Sequence, residues 1–382
     1  MKIKTIVILT LLISKIAFSQ GIDTLTFHSK AFNESRTVFI HKPKFYKYQS
    51  DSVKLPVIYV LDGQNEWFIN PLLSDIEYLQ YTKEIPNAII VVIPHKNRRK
   101  ECGIISLETE LPLDKFITEE LDEELKKYNL NEFKVIIGHS FSASFSLYSF
   151  FKNPKYYSAV LANTPLDKMQ MLVEGFEQNK NIDKTKISIS IGGIAHNKDI
   201  HHRNKYEALK IKFSEFFNSI NTFEADYSAH NGVSIVASPA LLTKIFKDYS
   251  SRYSEIAKVD LEYKLINKPN SIPEVLDKIE IASKIGDYYY PPEIPDINGI
   301  ASRYWNSNFD AYAAKIYEIG IAYYPNYYDF YVSLYELNKG KVNAEQYLNK
   351  AKKLLLTVET DWIERDEVLK EIEAEKIKNG WQ

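Results

Sequence analysis

The hydrophobic positions of this chain change period several times, and each period predicts an element. Residues 24–40 alternate, with Leu25 and Phe27 before the polar Asn33-Glu34 and Val38 and Ile40 after it, which predicts an antiparallel hairpin. Residues 56–61 (PVIYVL) and 88–93 (AIIVVI) are continuous apolar runs of strand length, ending at Asp62-Gly63 and Pro94. Such runs belong to strands buried on both faces, as in a parallel sheet. Between residues 114 and 128, Phe116, Ile117, Leu121 and Leu125 recur at helical spacing among acids and lysines, predicting an amphipathic helix. Short strands are predicted at 134–137, 159–162, 186–191 and 222–227, and a closing amphipathic helix at 239–249. Strands alternating with helices predict an α/β fold with a doubly wound, mostly parallel sheet.

That sheet domain is expected over residues 20–255. Residues 256–292 carry weaker signals and end in Tyr288-Tyr289-Tyr290-Pro291-Pro292, whose prolines disfavour helix, so they read as a connecting segment. Residues 293–382 read as a small all-helical domain. Ala313 and Gly320 are seven residues apart, as are Ala344 and Ala351, and Pro325 closes the first helix. The two resulting hairpins are similar to tetratricopeptide-type repeats, with an offset short of the usual period of about 34 residues. A plain helical cap fits the same pattern. In either form the helices offer a surface for a protein partner.

At the other end, Lys2 and Lys4 precede an apolar run from Ile6 to Ile13, and Ala17-Phe18-Ser19 supplies small residues. Residues 1–19 therefore read as a signal peptide cleaved before Gln20. The run is too short to span a bilayer, so the mature chain is expected in the periplasm or secreted, without stable membrane insertion. With 45% hydrophobic and 26% charged residues, the chain is globular and able to bury a large core. Its formal net charge is −2, made more negative by loss of Lys2, Lys4 and Lys15, and it has no basic block. Nucleic acid is therefore not an expected ligand. Cys102 is the single cysteine, which forbids an intramolecular disulfide.

Candidate chemistry centres on residues 134–151, KVIIGHSFSASFSLYSFF, where an apolar strand runs through Gly138-His139-Ser140-Phe141-Ser142 into a helix. Strand, sharp turn and helix form the context of a nucleophile elbow, with Ser140 as the nucleophile. The usual second glycine is replaced by Ser142, followed by Ala143 and Ser144. A serine nucleophile needs a base, an acid that orients the base, and two donors for the oxyanion. In this fold the base follows the serine in the chain, leaving His196, His201, His202 and His230. His230 is the best placed, on a loop between the strand at 222–227 and the closing helix. His139 is expected to brace the turn. The acid stays open between Asp199 and the pair Glu224 and Asp226. Phe141 N–H is one oxyanion donor, and Gly63 or Gln64 the other. Arg98 and Arg99, just after a strand, could grip an anionic substrate group through a guanidinium fork. The histidines at 196, 201 and 202 lack the accompanying ligands of a zinc site, so neither metal nor cofactor is expected.

The segments VIYVLDGQNEWF, IIVVIPHKNRR, KVIIGHSFSASFSLYSFFKNP and SAHNGVSIVASPALLTKIF together resemble the putative esterase family of α/β-hydrolases, which includes the ferric enterobactin and bacillibactin esterases. The resemblance spans residues 25–250. It implies Ser140 as nucleophile, His230 as base and Asp62-Gly63-Gln64 around the oxyanion, and it places Arg98 in a loop facing the substrate. Family members carry two glycines where this chain has Ser142-Ala143. The expected function is an exported serine hydrolase of carboxylic esters acting on a small molecule: a siderophore lactone, an acylated sugar or a feruloyl-type ester. The competing expectation is a catalytically weakened relative that serves as a binding or partner-docking protein.

Overall fold

Arg36, Val38 and Ile40 point inward from the second arm of an antiparallel hairpin, the start of the sheet. β1 (Ile22–Ser29) pairs with β2 (Glu34–His41), and Asn33 in the turn takes φ 51°, a left-handed conformation that asparagine tolerates. This is a computed structural model, and it describes residues 21–193 and 200–381. His196, Asp199 and residues 1–19, the expected signal peptide, lie outside the described residues. β3 (Leu55–Leu61), β4 (Ile89–Ile93), β5 (Leu130–His139), β6 (Ala159–Asn163), β7 (Ile187–Gly192) and β8 (Asn221–Ala225) complete an eight-stranded sheet. Its order is β1-β2-β4-β3-β5-β6-β7-β8. β2 meets β4 antiparallel, whereas β3 with β4, and β5 through β8 in succession, run parallel. Every residue of β3, β4, β6 and β7 is buried, which is why these strands read as unbroken apolar runs.

Helices flank this sheet. The elbow helix, Phe141–Lys152, packs on β5 and β6 beside Met169–Gln178, while Val233–Ile245 packs across β6 to β8 and against Glu66–Tyr81. The closing helix thus begins six residues before the expected start, with Pro239 inside it. The helix expected at 114–128 is divided: a π-helical turn, Phe116–Leu121, separates Pro112–Lys115 from Asp122–Leu125. Its apolar positions Phe116, Ile117, Leu121 and Leu125 are nevertheless buried as the spacing predicts.

The strand order fixes where a site can form. After β3 the chain moves outward to β4, and after β5 it moves to β6 on the other side, so the loops leaving β3 and β5 diverge. A crevice opens where such loops part, at the carboxyl ends of the strands. At β5 the approach of strand and helix is close: a Cβ on Gly138 would lie 2.3 Å from Ser142 O and 2.6 Å from Ser146 Oγ. We predict that Gly138→Ala lowers stability by about 1–3 kcal/mol, measured as the urea unfolding midpoint. An unchanged midpoint would show that the helix can withdraw from the strand without loss.

The described residues of this first unit are 21–44 and 56–247, without the masked stretch, and a second unit is formed by Phe45–Leu55 together with 248–381. Phe45–Leu55 and residues 248–255, expected within the sheet domain at 20–255, belong to this second unit. In the second unit Tyr48 is buried in one core with Tyr253, Ile297, Ile300, Tyr304 and Phe330. Ser50 N–H donates to Tyr323 O at 2.8 Å, and Lys47 pairs with Glu359 at 2.9 Å. The segment at 256–292 also carries more structure than expected. Ser271 Oγ accepts Glu274 N–H at 3.3 Å and caps the helix Ile272–Ala282, which is followed by a short ladder of Lys284–Ile285 with Tyr288–Tyr289. Five further helices, Ile294–Asn306, Asp310–Tyr323, Tyr328–Leu337, Ala344–Thr357 and Arg365–Lys378, each pack on the next. The small residues singled out by spacing lie at these contacts: Ala313, Ala344 and Ala351 are fully buried, and Phe330 fits against Gly320, where a Cβ would come within 2.7 Å of the ring. Among the described residues, no helix is long and apolar enough to cross a membrane.

Candidate active site

Ser140 sits at the carboxyl end of β5 with φ 60° and ψ −114°, a strained conformation for a residue with a Cβ. Backbone bonds on either side impose it: Ser140 N–H donates to Asn163 O at 2.8 Å, and Ser144 N–H donates to Ser140 O at 3.1 Å. The Ser140 side chain makes no capping bond to the helix that follows. Phe141 is the first residue of that helix, where N–H groups have no partner within the helix and the dipole favours negative charge.

Across the crevice, the loop after β3 contains Asp62 at φ 65°, Gly63 and Gln64. Gly63 N–H donates to Ile93 O at 3.1 Å, so it is committed to the end of β4. Of the two expected oxyanion donors, Gln64 N–H is then the one without a backbone acceptor among the described residues. The Gln64 side chain fixes the loop, with Oε1 accepting His95 N–H at 2.8 Å.

His230 lies on the loop between β8 and the helix Val233–Ile245 and is half-buried. His139, adjacent to Ser140, donates from Nε2 to His230 O at 3.0 Å, and the two rings are 4.8 Å apart. Burial pushes the His139 imidazole below its ordinary pKa, partly opposed by that bond to His230 O. His202, at the start of the helix Ile200–Lys212, packs its ring 5.4 Å from His230 and 3.7 Å from His201. Trp67 meets the His139 ring edge-on at 5.3 Å and remains 45% exposed, an aromatic surface at the site's rim. Among the described residues, no group of three or more His, Cys, Asp or Glu is arranged to hold a metal ion.

The carboxylates considered for the acid divide. Glu224 and Asp226 both bind the buried Arg203 guanidinium, Asp226 at 3.1 Å, and Glu224 is also held by Lys210. They anchor the helix Ile200–Lys212 to the end of β8. Asp199 precedes that helix directly, outside the described residues.

Arg98 is placed differently from the expected substrate grip. Its Nε and Nη2 bind Asp62 Oδ1 and Oδ2 at 2.5 and 3.0 Å, Nη2 also donates to His139 O at 2.5 Å, and Nε to Ser142 Oγ at 3.2 Å. The guanidinium is thus engaged by the protein. Arg99 is exposed and forms no ion pair among the described residues. Beneath Arg98 lies a second buried cluster that the sequence does not reveal. Arg36 grips Glu101 with two bonds of 3.0 and 2.8 Å, and Glu101 also contacts His95 Nδ1 at 3.0 Å and accepts the N–H groups of Lys96 and Asn97. Although burial opposes ionisation, these bonds from His95, Arg36 and Asn97 hold the Glu101 carboxyl well below the usual range. Cys102 packs between His95 and Ser142, and burial pushes its thiol up, away from the reactive thiolate.

A mostly parallel sheet of this order, with an elbow serine at the point where its loops diverge, defines an α/β-hydrolase fold. Residues 29–212, most of the sheet unit, match the Esterase family model, described as putative esterase. The match includes Arg98 and Ser140 and ends before β8 and His230. The chain is 26% identical over 172 residues to the uncharacterized protein YjcH of Bacillus subtilis (strain 168), covering 44% of this chain and 70% of that one. An IroE-like serine hydrolase from Shewanella oneidensis is structurally similar at 17% identity with a TM-score of 0.58, over 78% of this chain and 98% of that one. An uncharacterised protein from Capnocytophaga ochracea DSM 7271 is similar over 92% of this chain and 99% of its own, at 14% identity and a TM-score of 0.53. The last two likenesses establish the fold. Ester hydrolysis is the chemistry that the family match supports.

Proposed function

We propose that this chain is an exported serine hydrolase of carboxylic esters. The observation that carries the reading is the strained backbone of Ser140 at the divergence of the β3 and β5 loops, with the His230 loop bonded to the neighbouring His139. Ser140 Oγ attacks the ester carbonyl while His230 takes its proton. The oxyanion is received by Phe141 N–H and Gln64 N–H, His230 returns the proton to the leaving alcohol, and water activated by His230 clears the acyl-enzyme. Asp199 is the acid we assign to His230, since Glu224 and Asp226 are held by Arg203. Exposed Trp67 beside the site favours esters bearing a planar aromatic group, of the feruloyl or catecholate-siderophore type, over acylated sugars. Export rests on residues 1–19 alone, and the reading of the C-terminal helices as degenerate tetratricopeptide-type hairpins on the spacing of their small residues.

The decisive experiment is labelling with a fluorophosphonate probe, followed by peptide mapping. Wild-type protein is expected to carry one adduct, on Ser140, and to hydrolyse short-chain nitrophenyl esters. Absence of an adduct at Ser140 would refute the mechanism. Comparison of feruloyl, catecholate and acetylated-sugar esters then tests the substrate class.

A further inference from the structure

We propose that Arg98 and His139 are positioning residues that hold the oxyanion loop, the elbow and the base loop in one register, a role that rests on the mechanism above. Arg98 takes its charge partner from the β3 loop, at Asp62, and spends its remaining Nε and Nη2 contacts on His139 O and Ser142 Oγ at the elbow. His139, fixed at its carbonyl by Arg98, extends its ring to His230 O. One continuous line of bonds therefore connects Asp62, beside the Gly63-Gln64 turn, to His230.

The flanking chemistry fits this role. His139 is 3% exposed, and its ring is walled by Trp67 and Phe68, so it has little freedom to rotate away from His230. Asp62 is fully buried at a positive φ, and its bidentate bond to Arg98 holds that backbone in place. Ser142 occupies the position where the resembling family has glycine, and here its hydroxyl is a partner of Arg98. The departure from the motif is thereby part of the connection.

Two roles for Arg98 predict different kinetics. As a tie between loops, it affects the alignment of nucleophile, base and oxyanion donors, where displacement of about 1 Å can cost about 100-fold in rate. As a grip on substrate, it would affect binding of anionic esters only. Arg98→Lys, which retains charge but cannot reproduce the fork, is therefore to be assayed on a neutral nitrophenyl ester and on one bearing a carboxylate. We expect kcat to fall about 10–100-fold on both, with KM changed by less than about threefold. His139→Gln and His139→Phe provide a second arm that leaves Arg98 intact. Glutamine can still donate to His230 O and is expected to retain most activity, whereas phenylalanine keeps the ring without the donor and is expected to lose it to the same extent as Arg98→Lys. Fluorophosphonate labelling rates should follow kcat. An Arg98→Lys effect confined to KM for the anionic ester, or a His139→Phe variant that labels as fast as wild type, would overturn the inference. Wild type that fails to label at Ser140 would instead refute the underlying mechanism, so the two failures are distinguishable.

Discussion

Ser140→Ala is expected to reduce kcat for a short-chain nitrophenyl ester by up to about a millionfold while leaving the unfolding midpoint nearly unchanged. The two halves of this expectation come from the same local geometry. Ser140 Oγ caps nothing, so its removal takes no hydrogen bond from the elbow helix. The strained φ of 60° is held by the Asn163 and Ser144 backbone bonds, which alanine preserves. The substitution thus deletes the proposed nucleophile and little else. Ser140→Gly sharpens the test, because glycine enters this region without a Cβ penalty and is expected to stabilise the inactive protein by about 1 kcal/mol. Esterase assays paired with urea unfolding measure both effects. Full activity in Ser140→Ala would end the proposed mechanism, and a collapsed midpoint would show that the serine is structural.

The largest effect on stability is expected from Glu101→Gln, at about 3–5 kcal/mol near neutral pH. Arg36 is 2% exposed, and Glu101 supplies the charge that makes its burial tolerable. A glutamine offers one acceptor oxygen where five donor groups now converge, and it turns an NH2 group toward others. The pH dependence gives an independent check. Because the folded Glu101 carboxyl titrates below its unfolded counterpart, its stabilisation is present in full above the ordinary glutamate pKa of about 4.5 and fades as pH falls toward the folded value. Wild type therefore loses stability on acidification, and the variant lacks this part of the slope. The difference in midpoint between the two should be widest at pH 7 and narrow toward pH 3 in urea titrations. Parallel curves would remove Glu101 from the acid limb.

How far the molecule could be read from its residues depended on the range of the causes. Strands such as PVIYVL and AIIVVI were legible because burial on both faces leaves no polar position within them. The elbow was legible because strand, glycine, serine and helix are contiguous. The closing helix, expected at 239–249, lies instead at Val233–Ile245: Pro239 has the character of a helix start, yet the helix accommodates it internally. The start of Ile272–Ala282 carries a local signal in the sequence, serine three residues before glutamate with proline between them. The Arg36–Glu101 pair had no such signal: its members are 65 positions apart, and Arg36 occupies a strand where alternation alone cannot identify a buried cation. The same distance problem hid the engagement of Arg98 by Asp62, and made Arg98 look like an available anion grip. His230 and Ser140 could be named from order and context, but only the fold supplies the His139 contact that links their loops.

The detour of Phe45–Leu55 into the second unit has a consequence for the order of assembly. This segment is made early, between two strands of the sheet, yet Tyr48 needs helices that arrive near the end of synthesis, and Lys47 is 312 positions from Glu359. During translation the early segment must wait with its aromatic side chains uncovered, a period in which chaperone capture or misassociation competes with folding. The C-terminal helices are therefore not an appendage added to a finished enzyme: shortening the gene from its 3′ end would leave an unsatisfied stretch in the middle of the domain that remains.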